Sequence, residues 1–219
     1  MPMRKHFCTY GTFCTYIAVL LLFTALALSV VCCSRKKSRY EEVIMPKGVG
    51  VMPGDVLFRR GEGVLSDMVV HVDDGRYSHV GIAVESAGVI MVVHAVPAEP
   101  DYIGDPDRVK MDRIETFFGR EYAVNGEITR IADRNAAKAA AIEAIRLYRK
   151  KVLFDHDYDT SDTTRLYCSE LVENAYRKAG VSLAGKRRHD YNVPGFSVMQ
   201  VITPSDLYAS PLLESIIKF

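Results

Sequence analysis

The chain reads as an α+β domain, and three stretches of sequence carry that expectation. Tyr77-Ser78-His79-Val80-Gly81-Ile82-Ala83-Val84 alternates as a half-buried strand does, and Val89-Ile90-Met91-Val92-Val93-His94-Ala95 follows beyond the turn signal Ser86-Ala87-Gly88, so the two predict an antiparallel hairpin. Asp133 to Tyr148 is an alanine-rich amphipathic helix, with Asp133 at its cap and Ala137, Ala141, Ile145 and Tyr148 on its packing face. A second helix follows Cys168: Leu171, Val172, Ala175, Tyr176 and Ala179 fall on one face, and Glu173, Asn174, Arg177 and Lys178 on the other. Gly180 ends it, and Asp162, Thr163 and Thr164 are its start signals.

Residues 1–40 stand apart from this domain, which occupies 41–219. Gly11 to Cys33 is uncharged and apolar, with Arg4 and Lys5 before it and Arg35, Lys36, Lys37 and Arg39 after it. That length spans a bilayer as a single helix or serves as a secretory signal. Cys32 and Cys33 add a third option, a lipoprotein signal, although Val31 stands where a small residue is expected. The expectation is a membrane anchor, as a lipoprotein or a single transmembrane helix. The downstream basic cluster favours a cytoplasmic exit for an uncleaved helix, whereas the family resemblance described below implies an extracytoplasmic, cell-envelope domain. With 219 residues and 48% hydrophobic content, the remainder is long enough for one sizeable core. A net charge of +1 gives no electrostatic footprint for a nucleic-acid partner.

Of the five cysteines, Cys8, Cys14, Cys32 and Cys33 lie in or beside the apolar run. Cys168 is alone in the domain, where no disulfide can form. Its place at a helix start suggests a nucleophile, because unpaired N–H groups and the helix dipole favour thiolate over thiol. A thiol nucleophile needs a base and a group that orients the base. His79 and His94 supply these if they share a sheet face. A turn at Ser86-Ala87 sets them directly opposite; a turn at Ala87-Gly88 makes them diagonal neighbours on one face; a three-residue loop separates them. His71, His156 and His189 read as ordinary structural or solvated histidines. A zinc site from His79, His94 and Cys168 has suitable ligand types, but no CxxC or HExxH spacing supports it. Asp101 to Arg113 is a polar, proline-containing segment close enough to the His94 strand to line a cleft, and Lys186-Arg187-Arg188-His189 reads as a solvated basic loop.

Gly54-Asp55-Val56-Leu57-Phe58, Tyr77 to Ile82, Tyr167-Cys168-Ser169-Glu170-Leu171-Val172 and the tail Ile202-Thr203-Pro204-Ser205-Asp206-Leu207 together resemble the circularly permuted papain-like amidases of the NlpC type, in the YiiX/YebB-like group. The resemblance implies a papain-like core with an antiparallel sheet and packed helices, in which the histidine strands precede the cysteine helix. It makes Cys168 the nucleophile and His79 the base, and sets His94 at the third, polar position, where close relatives carry glutamate and the wider family histidine. It also aligns Tyr158 with a tyrosine that reaches the oxyanion. The implied function is cysteine-dependent hydrolysis of an amide in a cell-envelope substrate, most simply a peptidoglycan peptide, with no cofactor. Lipid deacylation or acyl transfer of the lecithin retinol acyltransferase type is the alternative, and a catalytically silent envelope-binding lipoprotein is a third reading.

Overall fold

The computed structural model describes residues 42–219 except 163 and 194–195. The N-terminal anchor expected over residues 1–40, including Gly11 to Cys33, lies outside the described residues. Among those described, no helix is long and apolar enough to cross a membrane. The elements run β1 (Val56–Arg60), α1 (Val64–Asp73), β2 (His79–Ser86), β3 (Val89–Val96), β4 (Arg108–Arg113), α2 (Ile114–Phe117), β5 (Asn125–Ile131), α3 (Arg134–Arg149), β6 (Leu153–Phe154), β7 (Arg165–Leu166), α4 (Cys168–Lys178), β8 (His189–Val193), β9 (Phe196–Val201), α5 (Pro204–Tyr208) and β10 (Leu213–Lys218). Eight strands form one sheet in the order β10-β5-β1-β2-β3-β4-β6-β7, and β8 pairs with β9. The expected antiparallel sheet is corrected at one edge, where the two-residue strands β6 and β7 pair in parallel.

Strand alternation sorts side chains into two cores. Val56, Phe58, Val80, Ile82, Val84, Val93 and Ala95 point to one face, where Ala136, Ala137, Ala140, Ala141 and Ala144 of α3 and Leu171, Val172, Ala175 and Tyr176 of α4 cover them. Leu57, Ala83 and Val92 point to the other and meet Ile114, Phe117 and Phe118. Each fully buried valine or leucine contributes about 1.5–3 kcal/mol relative to exposure. The alanine face lets α3 approach the sheet closely. A Cβ on Gly54, whose φ is 85°, would lie 2.3 Å from the Ala137 carbonyl oxygen. Beside it, the fully buried Asp55 accepts from Arg130 Nε and Nη2 at 2.8 and 2.7 Å and from the Met52 N–H at 2.8 Å. This explains the Gly54-Asp55 pair physically, as a close approach followed by a charge clamp.

Asp133 caps α3 as expected, accepting from the N–H groups of Asn135 and Ala136. The start of α4 differs from expectation. Tyr167 is the cap residue and contributes no side-chain bond, while Asp162 accepts from the Thr164 N–H in a local turn of the preceding loop. At the other end Gly180, with φ 82°, closes a Schellman turn: its N–H reaches the Arg177 carbonyl and that of Val181 reaches Tyr176. Glu173, assigned to the solvated face, is instead buried. It accepts from Ser182 Oγ at 2.6 Å and from the N–H groups of Leu183 and Ala184, which folds the chain after the helix back onto it. The tail motif is a capping box, in which Thr203 and Asp206 satisfy each other's backbone at the start of α5.

Candidate active site

The β2–β3 register settles the relation of the two histidines. Ser86 pairs with Val89 and Ile82 with Val93, so the turn is Ala87-Gly88 and not Ser86-Ala87. Both turn residues have positive φ, 51° and 77°, the geometry that matches the twist of paired strands. His79 and His94 are therefore diagonal neighbours on one face, not a directly opposed pair. The position across from His94 is Gly81, where an added Cβ would meet Val92 Cγ1 at 2.6 Å and His94 Cβ at 3.2 Å. The missing side chain leaves the His94 imidazole room to reach along the sheet. His79 Nε2 and His94 Nδ1 are 2.9 Å apart, and both rings pack against Phe117.

The chain of contacts continues past the pair. His94 Nε2 lies 3.0 Å from Asp112 Oδ2, and Lys110 Nζ lies 3.3 Å from the same oxygen. The segment from Asp101 to Arg113, read from sequence as a polar cleft-lining stretch, contains a full strand, β4, paired antiparallel to β3 with His94 across from Lys110. Asp112 was missed because it lay inside that stretch. Its signal was the alternation Arg108-Val109-Lys110-Met111-Asp112, which puts buried Val109 on one face and the charges on the other. Around this line stand Arg59, which pairs in register with His79 and forms an ion pair with Glu99, and Asp101, 2.8 Å from Lys110 Nζ. Arg59 Nη1 also donates to the Phe117 carbonyl at 3.0 Å.

Cys168 is the first residue of α4 and is half-buried. Its Sγ is 3.7 Å from Ser169 Oγ, and the backbone N–H of Val80, the residue after His79, is directed at it. Burial pushes the thiol pKa up, against smaller lowering contributions from Ser169, Val80 and the helix-start N–H groups. This corrects the expectation that the helix start would dominate and favour thiolate. His79 is driven well below the usual histidine range, first by burial and then by Arg59, His94 and Lys110. His94 is lowered as well, with burial outweighing the opposing pull of Asp112. The resting pair is thus neutral thiol and neutral imidazole. No hydrogen bond joins Cys168 to His79 among the described residues; the two line one cleft at the start of β2.

That cleft has a volume of about 490 Å³. Tyr158 lines it too. Asp155 accepts from the N–H groups of Asp157 and Asp159, which winds the acidic loop tightly enough to hold Tyr158 at φ 52° with its ring 5.2 Å from that of Tyr167. Its hydroxyl pKa is pushed up to about 12, by burial first and by Cys168 next, so it is a proton donor near the sulfur. The tail motif reaches the same cleft through Ile202, Thr203 and Pro204. Of the histidines set aside, His189 pairs with Asp206 at 2.8 Å and His156 with Asp107 at 3.1 Å.

A cysteine at a helix start, approached by a histidine strand that comes earlier in the chain, defines a permuted papain-like fold. Residues 50–217 match the permuted papain-like amidase enzymes of the YaeF/YiiX type, the C92 family, and the chain belongs to that family. Among solved structures, the chain is similar to the crystal structure of the metalloprotein yiiX from Escherichia coli O157:H7, with a TM-score of 0.62 and 19% identity, over 77% of this chain and 97% of that one. At that identity the likeness concerns the fold. No curated protein matches the chain.

Proposed function

We propose that this papain-like amidase cleaves an amide bond of a cell-envelope substrate, most simply a peptidoglycan peptide, through Cys168, His79 and His94. The observation that carries the reading is that Cys168, at the start of α4, and His79, hydrogen-bonded to His94, line one cleft. His79 takes the thiol proton by a small side-chain movement or through one water, a common relation in an empty site. The sulfur attacks the carbonyl, and the N–H groups at the start of α4, with the Tyr158 hydroxyl, receive the oxyanion. The protonated His79 returns its proton to the leaving amine. Water then releases the acyl group from sulfur. The yiiX relative is described as a metalloprotein; among the described residues of this chain no group of three or more His, Cys, Asp and Glu is arranged to hold a metal ion.

Lipid deacylation is a second reading, favoured by the apolar wall of the cleft. Leu65, Met68, Val69 and Val72 line it from α1, a helix with no fully buried residue, and Val198 and Ile202 line it from the other side. Full-length protein incubated with a muropeptide mixture and separately with a lipid extract, read by mass spectrometry, is expected to cut an amide in the muropeptides. Release of fatty acid from the lipid extract alone would transfer the assignment to the second reading. A cell-envelope role also requires membrane association through residues 1–40. Recovery of the native full-length chain in the soluble fraction, with its initiator methionine intact, would remove it.

A further inference from the structure

We propose that Asp112 is a positioning residue which fixes, through His94, the nitrogen of His79 that presents a lone pair to Cys168. This role presupposes the proposed function of His79 as base and follows from which atoms can donate and which accept. A carboxylate accepts and cannot donate. At 3.0 Å from Asp112 Oδ2, His94 Nε2 must therefore carry the proton. A neutral imidazole holds one N–H, so His94 Nδ1 is a bare acceptor. His79 Nε2, 2.9 Å away, must then be the donor in that contact, and His79 Nδ1 is left unprotonated. Proton transfer from Cys168 ends with the proton on Nδ1 and the electron pair on sulfur, while the Nε2–H bond to His94 stays intact. No proton leaves His94 and none reaches Asp112.

The surroundings keep Asp112 in the form this logic needs. Lys110 sits 3.3 Å from the same Oδ2, and the Asp112 carboxyl is held below its ordinary range by His94 and Lys110 against the cost of burial. The other charges facing the line are Arg59 from β1 and Glu99 and Asp101 from the segment after β3. Arg59 is bound to Glu99, and Asp101 to Lys110, so neither carboxylate takes a proton from the histidines. A disrupted carboxylate would let His94 adopt the other tautomer. Its Nδ1–H would then donate to His79 Nε2, and the His79 proton would sit on Nδ1, facing the thiol with the wrong end.

Histidine ring ¹⁵N spectra of the full chain, with His79 and His94 assigned by His79→Gln and His94→Gln, read the tautomers directly and need no substrate. Wild type at neutral pH is expected to show both rings protonated on Nε2. Asp112→Leu, which offers no acceptor, should lose the uniform Nε2–H form of His79, whereas Asp112→Asn, whose carboxamide oxygen still accepts from His94 Nε2, should retain it. Lys110→Met breaks the same Asp112–Lys110 ion pair but spares the carboxylate, and should leave both tautomers as in wild type. A His79 proton on Nδ1 in wild type overturns the proposal even if every variant fails to fold. So does a His79 tautomer unchanged in Asp112→Leu, and so does equal scrambling by Lys110→Met, which would assign the effect to the ion pair. Turnover by Cys168→Ala would instead sink the proposed function and leave the tautomer result standing.

Discussion

The cysteine side of the cleft is aromatic and apolar, with Phe154, Tyr158 and Tyr167 near a thiol whose polar neighbours are Ser169 and backbone N–H groups. The histidine side carries Arg59, Glu99, Lys110 and Asp112 packed behind two buried imidazoles. Both sides nevertheless arrive at neutral reactants: burial outweighs the donors around the thiol, while burial and the neighbouring cations act together on His79. The difference is in how the ion pair, once formed, is accommodated. Sulfur relies on fixed dipoles that are present before the charge appears, whereas the imidazolium is held by a line of hydrogen bonds ending in a carboxylate.

The sharpest way to break this comparison is to delete one side. Cys168→Ala should reduce turnover by about 10³–10⁶-fold with the fold intact by circular dichroism; activity within a few-fold of wild type would refute the nucleophile. On the other side, His79→Ala should cost about 10²–10⁴-fold. His94→Ala should cost less, and His94→Asn or His94→Glu should restore part of the rate, because each can accept from His79 Nε2. Equal and negligible losses at both histidines would return them to structural roles. Gly81→Ala attacks the dyad from beneath. The new methyl group collides with Val92 and His94 Cβ, so we expect about 1–3 kcal/mol of destabilisation in a denaturant melt together with a rate loss resembling that of the His94 variants. Rate loss without destabilisation would show that the strand yields and only the imidazole moves.

The smallest effect expected concerns the acidic flank of α4. Glu170 is 8% exposed, has Oε2 without a hydrogen-bond partner, and has its pKa raised from 4.5 to about 8, by burial first and then by Asp155. A folded-state pKa raised above the unfolded value means that stability is fully present below pH 4.5 and is lost as pH rises through about 8. Glu170→Gln removes that titration. It should raise Tm by about 2–6 °C at pH 8.5 and change it little at pH 5. His79 titrates with the opposite sense: its pKa is depressed, so its contribution is complete above the ordinary histidine value and fades as pH falls below it. A Glu170→Gln gain that is the same at both pH values would remove Glu170 as the source of alkaline destabilisation.

Much of this site was legible in the sequence because its parts obey short-range periodicity. The strand alternation through His79 and His94, the amphipathic face after Cys168 and the cap at Asp133 all appear in the fold where the residues predicted them. The exact turn did not follow from residue types, since Ala87 must adopt a positive φ that alanine disfavours, and the twist of the hairpin overrode that preference. Asp112 and Glu173 were lost for a related reason. Charge was read as exposure, yet each is buried against specific donors supplied from elsewhere in the fold: Lys110 and His94 for one, Ser182 and the turn N–H groups for the other. The thiol pKa was misread in direction because a helix start is visible in sequence, while the desolvation that dominates it is not.

The order of the parts along the chain has a consequence for synthesis. His79, His94 and Asp112 lie on β2, β3 and β4, strands paired with their neighbours in sequence across the Ala87-Gly88 turn and the connection 97–107, so the meander forms from local contacts. The thiol enters much later, at the head of α4. A nascent chain that has emerged only as far as α3 therefore holds the whole imidazole–carboxylate line and no nucleophile. In the proposed mechanism, reactivity then waits on the docking of a single helix, which brings the sulfur to the groups meant to govern it.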